Sequence, residues 1–322
     1  MKILITGGAG FIGSHLAEAY LEQGDDVYII DDLSTGSLEN IRHLQEDERF
    51  RNQLFVHINT ILHHDIMLEL TGICDVVMHL AAAVGVQYIL DYPLKSIRTN
   101  IQGTEKVLEL CDKFKKKVII ASTSEVYGKH LHAPLMETDN VIYGPSSKFR
   151  WSYAASKLMD EFTALAYYRT HGLKVVIARL FNTVGPRQTG AYGMVIPRFV
   201  SQALRNEPLT VYGDGKQTRT FTYVKDVVHA LIELAEADNA VGEVFNIGGT
   251  EEISMLDLAD KIIKATASTS KIEIIPYEKA FGKDFEDMLR RVPGIEKINQ
   301  CIGFDPKTDL DEILKQVIAF MK

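Results

Sequence analysis

A glycine-rich turn near the N-terminus constrains the fold of this chain more than any other feature. The sequence Gly7-Gly8-Ala9-Gly10-Phe11-Ile12-Gly13 follows a short apolar run and opens a segment of helical periodicity. Glycines let such a turn close, and they let a pyrophosphate approach the N–H groups at the positive end of a helix. Strand, glycine turn and helix in this order predict the first unit of a dinucleotide-binding fold.

A carboxylate stands where that fold places the adenosine ribose. Asp31 ends the second predicted strand, 21 residues after Gly10, and it can accept hydrogen bonds from the ribose hydroxyls. Its charge would repel a 2′-phosphate, and no arginine follows it immediately, so the sequence favours NAD over NADP. Asp32 is a second cofactor-binding candidate, for which capping of the next turn is the alternative.

Short apolar runs alternate with longer segments of helical period in the first half of the chain. This rhythm predicts an α/β fold, a Rossmann-type doubly wound parallel sheet over residues 1–180 with helices on both faces. Strands are predicted at 2–6, 26–31, 53–58, 76–80, 117–122 and 174–179, and helices at 11–23, 95–113 and 152–171.

The amino-acid composition changes after Arg179, where glycine and proline become frequent. The change predicts a smaller C-terminal α/β lobe over residues 181–322, with some of the chain crossing back to the first domain. Helices are predicted at 197–205, 224–237, 254–267 and 310–320, and short strands at 209–212 and 272–275.

The charge balance and the cysteines narrow the function classes. Lys and Arg number 35 against 43 Asp and Glu, a net charge of −8, which gives no basic field for nucleic acid or an anionic membrane. No signal peptide or apolar stretch of membrane-spanning length stands out, so we expect a cytoplasmic protein. Three widely spaced cysteines and unmatched histidines predict no metal site.

A tyrosine and a lysine stand four residues apart in Tyr153-Ala154-Ala155-Ser156-Lys157, on one face of a predicted helix. A nearby ammonium lowers a tyrosine pKa from about 10, which a base working near neutral pH requires. The fifth strand runs into Thr123-Ser124-Glu125 at the carboxyl edge of the sheet, where ligands bind in doubly wound folds. Taken singly, these patterns also fit a surface helix and a polar loop.

Together these residues resemble the extended short-chain dehydrogenase/reductase family, specifically its nucleotide-sugar epimerases, dehydratases and decarboxylases. The similarity spans nearly the whole chain. Besides the glycine turn and the Tyr153 motif, it rests on His79-Leu80-Ala81-Ala82, Thr99-Asn100-Ile101-Gln102-Gly103-Thr104, Thr123-Ser124-Glu125-Val126-Tyr127-Gly128, Arg179-Leu180-Phe181-Asn182 and Gly185-Pro186-Arg187.

The resemblance implies NAD as cofactor and a shared first step. Tyr153 as a phenolate would remove the proton of the sugar C4 hydroxyl while hydride passes to NAD, giving a 4-keto sugar nucleotide. Thr123 would hold the same hydroxyl, and Lys157 would bind the nicotinamide ribose and lower the pKa of Tyr153. Further cofactor contacts are implied for Asn59, Leu80, Ala81, Ala82 and Asn100.

The resemblance also assigns a nucleoside diphosphate, expected to be UDP, to the second lobe. Arg219 and Arg291 match positions that clamp pyrophosphate, a task that suits the planar guanidinium fork. Relatives commonly dimerise through two long helices, so we expect a homodimer. Other implied substrate contacts are Ser124, Asn182, Arg187, Val195, Leu209, Val211 and Tyr212.

Glu125 bears on the reaction that follows the oxidation. Family dehydratases and glucuronate decarboxylases often carry glutamate there, and in a dehydratase it would take the C5 proton before water leaves C6. We therefore expect elimination across C5 and C6 of a UDP-hexose, of the 4,6- or 5,6-dehydratase type. Two residues depart from the relatives: Ser124 stands where some dehydratases carry Asp, and Met194 where glucuronate decarboxylases place an arginine.

Other reactions of the same family are alternatives. They are 4-epimerisation of UDP-glucose or UDP-N-acetylglucosamine, and decarboxylation or epimerisation of UDP-glucuronate. An alternative of another class is a non-catalytic NAD-binding regulator. It is disfavoured because the tyrosine, the lysine, Thr123 and Glu125 are all present.

Overall fold

The computed structural model describes residues 1–85, 89, 91–130, 132–190, 194–281, 286 and 288–322. Its strands are β1 (Lys2–Thr6), β2 (Asp26–Asp31), β3 (Leu54–Ile58), β4 (Val76–His79), β5 (Lys117–Thr123), β6 (Val175–Leu180), β7 (Thr183–Val184), β8 (Leu209–Tyr212), β9 (Thr218–Thr220), β10 (Thr222–Tyr223), β11 (Val244–Ile247), β12 (Glu252–Ser254), β13 (Ile272–Ile275) and β14 (Arg290–Arg291). Among these residues a seven-stranded sheet has the order β11-β6-β5-β4-β1-β2-β3, and every pair in it is parallel. The predicted α/β class is confirmed.

The helices are α1 (Phe11–Glu22), α2 (Arg42–Glu46), α3 (His64–Ile73), α4 (Pro93–Phe114), α5 (Arg150–His171), α6 (Val195–Leu204), α7 (Val224–Glu236), α8 (Met255–Thr266), α9 (Tyr277–Phe281), α10 (Glu296–Ile302) and α11 (Leu310–Met321). The elements predicted from periodicity are present, with ends shifted by one or two residues. Among the described residues, no helix combines the length and apolarity needed to cross a membrane.

Alternation along the strands explains why both faces of the sheet are covered. On β1, Ile3 and Ile5 belong to one buried cluster with residues of α1 and α7. Leu4, which points the opposite way, belongs to a second cluster with residues of α3, α4 and α5. Because both faces of the central strands are buried, their sequences are continuous apolar runs rather than alternating ones.

The second half of the chain contributes to this sheet as well as to smaller ones. β11 lies beside β6 at the edge of the main sheet, and α7 packs in the first cluster. Separate pairings join β8 with β13, β7 with β10, and β9 with both β12 and β14. In the parallel pairing of β9 with β14, Arg219 lies opposite Arg291, so this small sheet brings two predicted substrate-binding arginines together.

Candidate active site

A cavity of about 650 Å³ runs along the carboxyl edge of the main sheet. It extends from the glycine turn, past the residues that follow β5, to the arginines of β9 and β14. Within the described ranges, no group of three or more His, Cys, Asp or Glu side chains is placed to hold a metal ion. The cavity is of the size and position expected for ligand binding in a doubly wound fold.

The glycine turn forms one end of the cavity. Gly7 has a φ of +74°, and a Cβ there would lie 2.9 Å from the backbone nitrogen of Ala81. A Cβ on Gly13 would collide with the carbonyl oxygen of Gly7. Gly10 precedes α1 without a side-chain cap, and Phe11 and Ile12 of the first turn line the cavity. The helix N-terminus is thus open to an anionic group, as a dinucleotide requires.

Asp31 and Asp32 have different surroundings. The Asp31 carboxylate is buried and accepts hydrogen bonds from the N–H groups of Ala9 at 3.0 Å and Leu33 at 2.8 Å. Burial raises its pKa, although these N–H groups oppose the change. Asp32 is exposed and accepts a hydrogen bond from the N–H of Ser34 at 2.9 Å. This is the turn capping that the sequence analysis gave as the alternative to cofactor binding. Both line the cavity.

The other predicted cofactor contacts divide into lining and supporting residues. Asn59, Leu80, Ala81 and Ala82 line the cavity. Asn100 is buried and is not among the lining residues. Its Oδ1 accepts from the N–H of Ala83 at 2.8 Å, and its Nδ2 donates to Ser156 Oγ at 3.1 Å. Asn100 therefore holds the segment after β4 against α5.

Tyr153 and Thr123 come together at the middle of the cavity. Both line it, and their side chains are hydrogen-bonded to each other. Burial raises the pKa of the Tyr153 phenol, and the charges of Glu125 and Asp160 add to this effect. The phenol is therefore protonated in this arrangement.

The predicted lowering of the Tyr153 pKa by Lys157 is not seen in this structure. Lys157 is buried, and its Nζ donates to Asp160 Oδ2 at 2.8 Å. It is not among the lining residues of the cavity. The physical reasons for the raised pKa are the burial of the phenol and the negative charges of Glu125 and Asp160. Asp160 is also the buried carboxylate on the same helix that binds the ammonium.

Glu125 is held by arginines. Arg150 donates to its Oε2, and Arg291 Nη1 lies 3.7 Å from its Oε1. Burial opposes ionisation, but the charges of Arg150, Arg291 and Arg219 hold the pKa of Glu125 below its ordinary value. Three guanidinium groups therefore act on the Glu125 carboxylate at this end of the cavity.

Arg150 is a site residue that the sequence analysis missed. It is the first residue of α5, its side chain is 3% exposed, and it lines the cavity. The available signal was its position three residues before Tyr153, because residues at that spacing lie on the same face of a helix.

The predicted substrate contacts fall into two groups. Ser124, Asn182, Val195, Tyr212, Arg219 and Arg291 line the cavity. Within the described part of the chain, the Ser124 hydroxyl is buried without a hydrogen-bond partner, so a ligand group could bind it. Arg291 lies next to Glu125 and within 3.5 Å of Asn182 Oδ1, and the guanidinium of Arg198, which was not predicted, stacks on Tyr212 at 4.1 Å.

Three predicted substrate contacts lie elsewhere. Leu209 and Val211 are fully buried in the core, because alternation along β8 gives the cavity side to Tyr212. Arg187 is paired with Glu18 of α1, and its Nη2 lies 3.2 Å from His43 Nε2. The Arg187 side chain thus ties the loop after β7 to the first helix, and it is not among the lining residues.

The fold and site define the class of the protein. A doubly wound sheet with a glycine turn, an acidic end of β2 and a buried tyrosine–lysine helix is the architecture of the extended short-chain dehydrogenase/reductases that modify nucleotide sugars. The chain belongs to the GDP-mannose 4,6 dehydratase family, whose model matches residues 4–317. The resemblance read from the sequence is confirmed.

Individual relatives share the full length of the chain. It is 44% identical over 323 residues to a UDP-N-acetyl-alpha-D-glucosaminuronate decarboxylase of Bacillus cytotoxicus, covering 100% of this chain and 98% of the relative. It is 37% identical to UDP-glucuronic acid decarboxylase 1 of Arabidopsis thaliana, covering 99% of this chain and 69% of that protein. A solved UDP-glucuronic acid 4-epimerase from Bacillus cereus, in complex with UDP-glucuronic acid and NAD, superposes with a TM-score of 0.88 at 32% identity, covering 100% and 99% of the two chains.

Proposed function

We propose that this chain is an NAD-dependent decarboxylase of a UDP-linked hexuronate. UDP-N-acetylglucosaminuronate and UDP-glucuronate are the first substrates to test, since the named relatives decarboxylate these sugars. The coarser statement, an NAD-dependent enzyme that modifies a nucleotide sugar, follows from the family. The reaction itself is argued from the charges around Glu125.

The observation that carries the proposal is the ion pairing of Glu125. A base that removes the C5 proton works best with a raised pKa and a free oxygen. Glu125 instead has a lowered pKa, with one oxygen bound by Arg150 and the other near Arg291. This arrangement disfavours the dehydration that the sequence led us to expect.

The same cluster suits a substrate that carries its own carboxylate. The guanidinium groups of Arg150, Arg219 and Arg291 line the cavity beside Glu125, and a planar guanidinium fork binds a carboxylate through paired hydrogen bonds. A hexuronate carboxylate at C6 would bind among these arginines through charge-assisted hydrogen bonds. These arginines would take over the role of the arginine that glucuronate decarboxylases carry where this chain has Met194.

Decarboxylation requires few residues once C4 is oxidised. Tyr153, once it has ionised, takes the proton of the C4 hydroxyl, which Thr123 orients. Bound beside the glycine turn, NAD would supply the acceptor for the C4 hydride and the donor that returns it. The C6 carboxylate is then β to the C4 carbonyl. When the C5–C6 bond breaks and CO2 leaves, its electron pair moves to O4, where Thr123 and the protonated Tyr153 donate hydrogen bonds. One solvent-derived proton enters at C5, and the product is a UDP-pentose.

The residues of the glycine turn fit the cofactor. The collision that a Cβ would cause at Gly13, the open N-terminus of α1 and the buried Asp31 carboxylate together match the pyrophosphate and ribose of NAD. A further fit is that no positive side chain bonds to Asp31, which is held by backbone N–H groups in the described chain.

A substrate panel tests the proposal. Purified protein with NAD is incubated separately with UDP-glucuronate, UDP-N-acetylglucosaminuronate, UDP-glucose and UDP-N-acetylglucosamine. The masses of the products are then measured by mass spectrometry. We expect a UDP-pentose from a uronate and no change of mass with the neutral sugars. C4 epimers of a uronate without loss of CO2 would make the chain a 4-epimerase, and loss of water from a neutral sugar would make it a dehydratase.

We also propose that the protein is a homodimer that uses the outer faces of α4 and α5. Leu94 and Phe162 are each 60% exposed, and Met159 is 51% exposed, so both helices present large apolar side chains to solvent. Val107 and Leu108 of α4 are fully buried core residues and do not contribute to this surface. Sedimentation should give twice the mass of the chain, and Phe162→Glu should lower it to a single chain.

A further inference from the structure

A buried chain of hydrogen bonds lies behind Tyr153, and the proposed reaction does not use it. Thr6 Oγ1 is 2.8 Å from His79 Nδ1, and His79 Nε2 is 3.1 Å from Thr104 Oγ1. The Thr104 hydroxyl is hydrogen-bonded to Asp160. Asp160 in turn accepts from Lys157 at 2.8 Å. All five side chains are buried.

The hydrogen bonds have one consistent direction. A carboxylate can only accept, so Thr104 donates its proton to Asp160, and its oxygen accepts from His79 Nε2. The Nδ1 of His79 then accepts from the Thr6 hydroxyl, whose oxygen accepts from the N–H of Ala81 at 3.1 Å. Burial and the charge of Lys157 lower the pKa of His79 to about 3, so the ring is neutral, as this order requires.

The two ends of this hydrogen-bond chain lie at different parts of the active site. Thr6 immediately precedes the glycine turn, and Ala81 lines the cavity. Lys157 is one turn of helix after Tyr153. The hydrogen bonds pass from β1 through β4 and α4 to α5, so they connect the cofactor-binding turn with the catalytic helix.

Charged groups face Tyr153 and Asp160 from several elements. Glu125 after β5 adds negative charge near the phenol, but its charge is offset by Arg150 of α5 and Arg291 of β14. His79 of β4 is neutral. Glu161, next to Asp160, is bound by Arg179 of β6. The charge of Asp160 adds to the rise in the Tyr153 pKa, and the Lys157 ammonium lies 2.8 Å from the Asp160 carboxylate.

We propose that Asp160 is a positioning residue: it holds the ammonium of Lys157 at the end of the hydrogen-bond chain, and its charge sets the pH at which Tyr153 works. This inference rests on the proposed role of Tyr153 as the base. Asp160 contributes by offsetting the charge of Lys157. Without it, the ammonium would favour the phenolate more strongly.

The test uses Asp160→Asn, which keeps the shape and one acceptor oxygen but removes the charge. With less negative charge near the phenol, Tyr153 ionises at lower pH. We expect the acidic limb of the kcat profile to move to lower pH by about one pH unit. Asp112→Asn, at the surface end of α4 where Asp112 binds Lys115 and His171, is the matched control and should leave the profile in place.

A second readout does not depend on turnover. The ultraviolet absorbance of tyrosinate is titrated in NAD-saturated protein without substrate, and the Tyr153 contribution is isolated by subtracting the same titration of Tyr153→Phe. Asp160→Asn should move this component to lower pH in parallel with the kinetic limb. Superimposable titrations of wild type and Asp160→Asn would overturn the inference. Absence of turnover with any uronate would overturn the proposed function alone.

Thr104 tests the rest of the hydrogen-bond chain. Thr104→Val removes the link between Asp160 and His79, and we expect kcat to fall about fivefold, the loss of one net hydrogen bond. Thr104→Ser keeps the hydroxyl and should restore the wild-type rate. Equal rates for the valine and serine variants would show that the link to the cofactor-binding turn does not position Lys157.

Discussion

The two ends of the cavity bind by different means. At the cofactor end, Gly7 and Gly13 leave room for the backbone of α1 to meet a phosphate, and Asp31 is held by N–H groups. At the sugar end, Glu125 and Arg150 form a buried ion pair with Arg291 close by. The first end depends on the absence of side chains, whereas the second depends on the balance of buried charges.

The comparison indicates at which end of the cavity ligand specificity can be changed by substitution. A backbone cradle accepts one shape of ligand, so its residues are shared by proteins with different reactions. A cluster of ion-paired side chains can be altered by a single substitution that changes its net charge. We therefore expect specificity for the sugar to reside in the charges around Glu125 and the cofactor site to be common to the family.

The largest expected effect comes from Tyr153, which lies between the two ends. Tyr153→Phe removes the phenolic oxygen but leaves both ends intact, so turnover should fall by about 10³-fold while NAD affinity is kept. Stopped-flow turnover and quenching of intrinsic fluorescence by NAD measure the two quantities. Activity retained by the variant would remove Tyr153 from the mechanism.

Gly13→Ala should weaken binding at the cofactor end of the cavity without affecting the sugar end. The added Cβ meets the Gly7 carbonyl, so the turn must shift and the NAD dissociation constant should rise on the order of 10²-fold. Affinity for UDP, measured separately by calorimetry, should be unchanged. Gly72→Ala on α3, where a Cβ would have only ordinary contacts with Phe114, is the control. Equal NAD affinities in both variants would contradict the binding of NAD by the backbone of the glycine turn.

Arg150→Met should impair the sugar end of the cavity without affecting the cofactor end. Loss of one partner of a buried ion pair leaves Glu125 less compensated, so kcat/KM for the uronate should fall about 30-fold with NAD affinity intact. Arg290→Met is the matched control, because Arg290 lies at the surface and pairs with Glu252. A uronate preference that survives in Arg150→Met would contradict the assignment of specificity to this cluster.

The smallest effect is a pH dependence of stability. The arginines lower the folded-state pKa of Glu125, so its ionised form stabilises the protein above the ordinary glutamate pKa of about 4.3, and this contribution is lost as the pH falls through the folded-state value. Glu125→Gln should lower Tm by a few degrees at neutral pH. The difference in Tm between the variant and wild type should shrink toward acidic pH. A Tm difference that grows toward acidic pH would contradict this prediction.

The sequence was most informative where backbone geometry decides the outcome. The glycine turn, Asp31 and the segment Thr123 to Glu125 follow strands directly, and the ends of parallel strands meet at one edge of a sheet. Their common location could therefore be predicted. Helices with clear apolar periodicity, such as α5 and α7, were also predicted within one or two residues.

Contacts that depend on distant parts of the chain were not predictable in the same way. Arg150 stands three residues before Tyr153 on the same helix, but that spacing does not reveal that its side chain pairs with Glu125. The short run of β11 gives no sign that it pairs with β6. Arg187 was assigned by resemblance, but Glu18, which draws it to α1, is 169 residues away in sequence.

The fate of C6 tests the central claim most directly. A UDP-hexuronate labelled isotopically at C6 is incubated with the NAD-loaded protein, and labelled CO2 is counted against substrate consumed. The account predicts one CO2 for each uronate consumed and a UDP-pentose that contains no label. Consumption of the uronate with all label retained in the sugar nucleotide would contradict it.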